Sequence, residues 1–298
     1  MAENNPFPGE ETTGHVWDDN LAEASNPPPA WWMLCFYASI AFIMGYGIIY
    51  PQWPTFQGVG YNKGMTGWTQ MDEYKKGVAE VEAVRAPYEN KIAGMSAKQI
   101  LADEELANYI SRGDTGAGKV LFGDNCGACH GSAGQGTPGF PVLQDDDWLW
   151  GGSIETIVQT ITNGRGPAAK IPSAGMTAHA GILSEAEIDA LAAYTVGLSE
   201  GKDDPAGKAL FTEKGCVACH GMDAKGMHAL GSANLTDAVW RFDEPDKLAS
   251  AKYTIMHGVN AANDPKTREA VMPTFGERLS ADDIKKLAVY VYKFGGGK

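Results

Sequence analysis

An uninterrupted apolar stretch stands near the start of the chain, at residues 30–50. None of its residues is charged, and Pro29 and Pro51 bracket it. A helix rises about 1.5 Å per residue, so the stretch spans about 30 Å, the thickness of the hydrocarbon core of a membrane. The pattern predicts one transmembrane helix. Aromatic residues that would lie at the two membrane interfaces stand near both ends: Trp31, Trp32, Tyr37, Tyr46, Tyr50 and Trp53.

The segment before this helix, residues 1–29, is polar, acidic and rich in proline. Such a composition cannot bury much apolar surface. We expect an extended segment that lies on another protein, or a disordered one. It does not resemble a signal peptide, because it has no basic region.

The segment after the apolar stretch, residues 51–112, predicts a helical connector. Apolar residues recur at three-to-four spacing from Thr69 to about Arg85, which indicates a helix. Pro87 predicts a break there or a new start. Ser96 opens another short helix, with Gln99 completing a capping box.

The remaining residues contain the same pattern twice, in 113–200 and 201–298. Each copy ends in a predicted closing helix that begins with an N-cap serine, Ser184 or Ser280. The agreement between the two copies over this length indicates that one unit was duplicated, and it predicts two tandem domains. The matching segments are 118–122 and 207–211, 143–148 and 235–240, and 183–194 and 279–290.

Each copy carries one C-x-x-C-H motif. Two thiols at this spacing reach the two vinyl groups of one haem, and the adjacent histidine supplies the proximal nitrogen to iron. A thioredoxin-like redox pair or half a zinc site is the alternative, but neither needs that histidine. The sequence therefore predicts two covalently bound haem c groups. The predicted residues are Cys126, Cys129 and His130, then Cys216, Cys219 and His220.

The fifth cysteine, Cys35, lies in the apolar stretch and is most simply a small hydrophobic side chain. No structural disulfide is implied. Because covalent haem is normally attached outside the cytoplasm, we expect the haem domains to be exported.

The order of elements in each copy resembles the class I cytochrome c fold: helix, haem motif, short helix, ligand loop and closing helix. In that family a methionine shortly before the closing helix is the second axial ligand. The resemblance implies Met272, followed by Pro273, for the second haem. It implies Met176 for the first, where His179 or an open site is the alternative.

The histidine in these cytochromes is commonly oriented by a proline carbonyl. Pro141 stands at that place in the first copy. Ala233 stands there in the second copy, which leaves the role open in that copy.

The formal net charge of −13 argues against nucleic acid as a partner. It would steer a basic protein partner, or it serves solubility alone. Lysines occur only after the apolar stretch, at Lys63, Lys75 and Lys76, so the positive-inside rule would place that side in the cytoplasm. Haem attachment requires that side to be outside the cytoplasm, and we give this requirement more weight than the positive-inside rule. We therefore predict a cytoplasmic N-terminus and periplasmic haem domains in a bacterial inner membrane.

Several short motifs resemble those of the dihaem subunit, CcoP or FixP, of cbb3-type cytochrome c oxidases. The resemblance implies an electron-transfer subunit that is not an enzyme on its own. It implies a cytochrome c donor, and as partners a monohaem subunit and a catalytic haem–copper subunit that reduces oxygen and pumps protons. The motifs lie at residues 14–18 (GHVWD), 26–32 (NPPPAWW), 50–51 (YP), 145–152 (DDDWLWGG) and 234–237 (NLTD).

Three other functions fit the anchor and the repeat. One is a stand-alone, membrane-tethered dihaem cytochrome c shuttle. Another is a haem peroxidase, which needs an iron with an open position and is disfavoured by Met176 and Met272. The third is the cytochrome subunit of a periplasmic dehydrogenase.

Overall fold

The computed structural model describes residues 9, 11–18, 21–51, 53–54, 63–170, 175–242 and 244–296. About half of them are helical and few are in strands, which confirms the mainly α fold predicted from the sequence. The chain divides into two compact units, Met1–Arg85 and Ala86–Lys298.

The first unit contains helix α1, Ala30–Ile49, which matches the predicted transmembrane stretch. Its large apolar side chains are mostly exposed; Leu34 is 71% exposed and Phe42 69%. Within the described part of the chain it is the one helix long and apolar enough to cross a membrane.

A two-stranded antiparallel hairpin precedes α1. Strand β1, Thr12–Trp17, pairs with β2, Leu21–Ala24. The sequence predicted an extended or disordered segment here but not the pairing, because two short exposed strands carry little hydrophobic alternation. Residues 1–8, 10, 19 and 20 of that prediction lie outside the described residues.

Helix α2, Gln70–Ala93, runs through Pro87, so the predicted break is wrong. Proline removes one backbone donor, but the turns on both sides remain helical. The last turns are held by tertiary contacts: the rings of Tyr88 and Tyr109 stack with centroids 4.5 Å apart, and the Tyr109 hydroxyl donates to Glu89 at 2.7 Å.

Helices α3, Ala97–Ala102, and α4, Glu104–Ser111, complete the connector. The predicted capping box is present: the Ser96 hydroxyl accepts from the Gln99 backbone, and the Gln99 side chain accepts from Ser96 N–H. The end of the connector is not a spacer, because its apolar side chains are part of a buried core. These are Ile92, Ala97, Ile100, Leu106 and Ile110.

The rest of the second unit consists of short helices after a 3₁₀ turn at Gly113–Thr115. They are α5 Ala117–Asn125, α6 Gly127–His130, α7 Ile154–Asn163, α8 Glu185–Ser199, α9 Pro205–Glu213, α10 Val217–His220, α11 Lys247–His257 and α12 Ala281–Tyr292.

The two closing helices are exchanged between the two repeats. Helix α12 packs on α5 and α7 of the first repeat, whereas α8 packs on α9 and α11 of the second. The prediction that each copy closes on its own helix is therefore wrong. We call residues 86–170 and 271–296 the first half, and residues 175–242 and 244–270 the second half.

Each half has its own buried core. The first-half core includes Phe122, Ile157, Ile161, Phe275, Ile284 and Leu287. The second-half core includes Ile188, Leu191, Tyr194, Phe211, Ala251 and Ile255.

A glycine allows the close helix crossing in each half. A Cβ at Gly118 of α5 would lie 2.6 Å from Tyr290 Cβ on α12. A Cβ at Gly207 of α9 would lie 2.7 Å from Tyr194 Cβ on α8. Because both copies carry the same glycine and the same tyrosine, the sequence alone could not reveal the exchange.

Candidate haem sites

The four motif cysteines are free thiols: Cys126 and Cys216 cap the starts of helices α6 and α10, and Cys129 and Cys219 lie within them. Cys126 and Cys216 are half-buried, and Cys129 and Cys219 are exposed. Burial, with a smaller contribution from Cys129, raises the pKa of the Cys126 thiol to about 11. A thioredoxin-like redox pair depends on a lowered thiol pKa, so this environment disfavours that alternative.

The histidine of each motif donates through Nδ1 to a backbone carbonyl. His130 Nδ1 lies 3.0 Å from Pro141 O, and His220 Nδ1 lies 3.0 Å from Ala233 O. A carbonyl can only accept, so Nδ1 carries the proton and Nε2 is left to bind iron. The predicted Pro141 contact is present, and the role left open for Ala233 is filled, because a carbonyl needs no proline.

Both imidazoles are held in the neutral form that binds metal. Burial lowers the pKa of His130, the bond to Pro141 raises it, and the charge of Arg241 lowers it. Burial likewise lowers the pKa of His220, and the smaller effect of its hydrogen bond to Ala233 O raises it. A lowered pKa means that both rings are neutral at pH 7.

The two candidate methionines occupy equivalent positions in opposite halves. Met272 exchanges backbone hydrogen bonds of 2.9 and 2.8 Å with Arg165, just after α7. Met176 exchanges bonds of 2.8 and 3.0 Å with Val259, just after α11. Both side chains are half-buried, Met272 against the first core and Met176 against the second.

This arrangement corrects the pairing expected from the sequence. Met272 follows the second motif in the chain but packs in the half that holds His130. Met176 packs in the half that holds His220. The reason is the exchange of closing helices. The segment that carries each methionine directly precedes a closing helix and therefore packs in the same half as that helix.

Positions 179 and 275 are also equivalent, which bears on His179 as an alternative ligand. His179 N–H donates to Ile255 O at 3.1 Å, as Phe275 N–H donates to Ile161 O at 3.1 Å. His179 therefore takes the place of a packing residue, three positions beyond the methionine. This favours Met176 as the ligand.

The donor sets fit haem c. Each half combines two free thiols, a histidine with its Nδ1 already bonded, and a half-buried methionine beside an apolar core. These are the attachment and axial groups that a c-type haem needs. Within the described residues no group of three or more His, Cys, Asp or Glu is placed to hold a metal ion.

Tryptophans lie beside both sites. Trp148 packs against the first core and donates from Nε1 to Asp145 O at 3.0 Å, and Trp240 packs against the second core. Trp150, which does not repeat, lies under the guanidinium of Arg165 at 4.2 Å from the ring centroid.

The loops that follow Trp148 and Trp240 form a junction between the two halves. The sequence did not predict this junction. Arg241 Nε donates to Gly139 O at 3.2 Å, 102 residues away in the chain. Trp150 packs against Gly231, where a Cβ would clash with its ring. Position in the sequence carries no signal for either contact, because each joins the two repeats.

Comparison with known proteins assigns the repeats and the N-terminal segment. Residues 9–57 match the family described as the N-terminal domain of cytochrome oxidase-cbb3, FixP. Residues 116–199 and 205–294 match the cytochrome c family.

Curated relatives match over nearly the whole chain. The cbb3-type cytochrome c oxidase subunit FixP of Azorhizobium caulinodans is 40% identical, covering 97% of this chain and 94% of that protein. Subunit CcoP of Azospirillum sp. is 40% identical over 100% of both chains. The chain therefore belongs to the FixP/CcoP family of cbb3-type cytochrome c oxidase subunits.

Proposed function

We propose that this chain is the membrane-anchored, dihaem electron-transfer subunit of a cbb3-type oxidase and has no catalytic activity of its own. The observation that carries the proposal is the pair of equivalent donor sets in one compact unit of a chain that also carries a membrane-spanning helix. Two carriers in one unit provide a short path for single electrons. Each bound haem supplies reversible one-electron chemistry.

We propose crossed ligand sets for the two haems. The first set is Cys126, Cys129, His130 and Met272, and the second is Cys216, Cys219, His220 and Met176. The cysteines anchor the haem, the backbone carbonyl fixes the histidine, and the apolar core beside each methionine excludes water. The proposal is supported by the packing of each methionine in the half that contains the corresponding histidine.

Membership of this family supports the partners and the direction of transfer that we propose. The chain takes electrons from a cytochrome c and passes them toward a monohaem subunit and a catalytic haem–copper subunit. The N-terminal segment is cytoplasmic and the haem halves are periplasmic, because covalent haem is attached outside the cytoplasm. Digestion of intact spheroplasts with a protease tests this orientation: haem-bearing fragments should be released, and protection of both haems would contradict it.

Purification in mild detergent with a carbon monoxide difference spectrum tests the function. Co-purification of high-spin haem b and copper, with oxygen consumption, is the expected result. Isolation of a chain with two low-spin haems c and no partner would instead favour a tethered shuttle. Binding of carbon monoxide to the isolated chain would reveal an open iron and reopen the peroxidase alternative.

A further inference from the structure

Arg241 links the second half to the loop that orients the first histidine. Its Nε bonds Gly139 O, two residues before Pro141, whose carbonyl holds His130 Nδ1. Arg241 directly follows Trp240 of the second repeat. A residue of one repeat thus reaches the proximal side of the other repeat's haem site.

The guanidinium of Arg241 has no carboxylate partner within 4 Å in the part of the chain that the structure describes. Its one described hydrogen bond goes to a neutral carbonyl. The side chain is half-buried, and burial lowers its pKa, but an arginine remains charged. A charge in this position is screened less than one on the surface.

A group of acidic side chains also lies at this junction and could neutralise Arg241 if it were paired with it. Asp145, Asp146 and Asp147 face Asp237 across it, and His228 lies beside Asp147. These carboxylates act on one another, and none is paired with Arg241. None of the described carboxylates therefore cancels the charge of Arg241 at close range.

The corresponding contact in the other half carries no charge. Gly231 stands two residues before Ala233, as Gly139 stands two before Pro141, and both glycines have positive φ, 66° and 83°. The residue packed on Gly231 is Trp150, a neutral side chain. The guanidinium of Arg165 stacks on the same ring but donates to Thr160, and no described hydrogen bond joins it to this loop. The two proximal loops are thus contacted directly by different groups of the opposite repeat, a bonded cation in one half and a neutral ring in the other.

We propose that Arg241 raises the reduction potential of the haem attached to Cys126 and Cys129, so that the second repeat tunes the haem of the first. Iron loses one positive charge when it is reduced, and a nearby fixed cation therefore favours the reduced state. The proposal depends on haem attachment at the first motif and not on any partner subunit.

Redox titration of the full-length chain in detergent, with both haems attached, tests this proposal. Arg241→Gln should lower the potential of one haem, so that its reduced-to-oxidised ratio at a fixed potential falls about tenfold, equivalent to about 59 mV. The other potential should not move. Adding Cys126→Ala leaves a single thioether on the first haem, which shifts its absorption band and identifies it.

Two matched variants separate charge from structure. Arg241→Lys keeps the charge and should retain most of the potential. Arg112→Gln removes the same charge from an exposed position and should change neither potential. The proposal is overturned if Arg241→Gln leaves both potentials unchanged, if it moves the haem of the second motif, or if Arg241→Lys behaves like Arg241→Gln.

A second substitution tests the proposal without removing Arg241. Phe140 adjoins Gly139 and is 40% exposed, so Phe140→Lys should fold. A cation added to this loop should raise the potential of the same haem, by less than Arg241 does because solvent screens it. If Arg241→Gln cannot be loaded with haem, an unchanged potential in Phe140→Lys overturns the proposal.

Discussion

The histidine of each C-x-x-C-H motif is oriented by main-chain atoms, and this decides which residues the site needs. His130 and His220 each donate to a carbonyl at 3.0 Å, one from Pro141 and one from Ala233. A carbonyl is supplied by any residue, so the side chain at that position is free to vary. The cysteines and histidines could be predicted from the sequence because their chemistry depends on side chains at fixed spacing. The carbonyl acceptor at Ala233 could not, because it depends on loop geometry.

Replacing each methionine by histidine tests the crossed ligand sets. Met272→His should lower the potential of the haem attached to Cys126 and Cys129, by on the order of 0.1 V, because histidine favours the oxidised iron. Met176→His should lower the other potential. Redox titration of the two variants, with the first haem identified by Cys126→Ala, measures both shifts. Crossed sets are refuted if Met272→His moves the haem of the second motif.

The helices of this protein form where the sequence predicts them, but they pack in a different combination. The capping boxes at Ser96 and Ser184 and the N-cap at Ser280 are all present. Caps and periodicity are local, and they report where a helix begins, not what it packs against. The choice between α8 and α12 as the partner of α5 depends on long-range contacts that two similar repeats offer equally. For the same reason the sequence could propose Met176 and Met272 as ligands but expected each in the half opposite to the one in which it packs.

The glycines at the helix crossings give a matched test of the exchange. Gly118→Val would force a side chain against Tyr290 of α12, which should cost about 1–3 kcal/mol of stability. The displaced α12 should weaken Met272 ligation of the first haem. Gly207→Val should act on α8 and the second haem instead. Thermal unfolding and the spin state of each haem provide the measurements; loss of ligation at the second haem in Gly118→Val would contradict the exchange.

The two halves together form one compact unit, joined by loops that each repeat extends to the other. Acidic groups meet at this junction. Burial, followed by Asp237, Asp145 and Asp146, raises the pKa of Asp147 to about 6. Because the folded pKa exceeds the ordinary value of 3.8, the contribution of Asp147 to stability is full below about pH 4 and is lost as the pH rises through about 6.

Neutralising Asp147 should therefore stabilise the protein only at higher pH. Asp147→Asn should raise the melting temperature at pH 7.5 by up to about 3 °C and have no effect near pH 4. Melting temperature as a function of pH is the measurement. Asp124→Asn, at an exposed position of α5, serves as the control. An equal gain at both pH values would exclude the junction as the cause.

Separate repeats should fail to fold into haem-binding domains. A fragment of residues 113–200 would hold the first motif together with α8, which belongs to the other half. We expect neither it nor residues 201–298 alone to give a low-spin spectrum, whereas the two expressed together in a haem-attaching host should recover part of it. A low-spin, methionine-ligated haem in either isolated fragment would contradict this.

The exchange of closing helices also sets the order in which the two sites can be finished during synthesis. The chain is synthesised from its N-terminus, so with the periplasmic haem halves proposed above the motif at Cys126 is exported before the motif at Cys216. All residues of the second half precede Val271, whereas the first half still lacks Met272 and α12 at that point. With the proposed ligands and orientation, the earlier motif is completed later, because its pocket stays open until Met272 and α12 have crossed the membrane. A chain that ends before Met272 would leave the haem pocket of the first half incomplete while the pocket of the second half is complete. Such an incomplete subunit would differ from the full-length subunit in one haem site only.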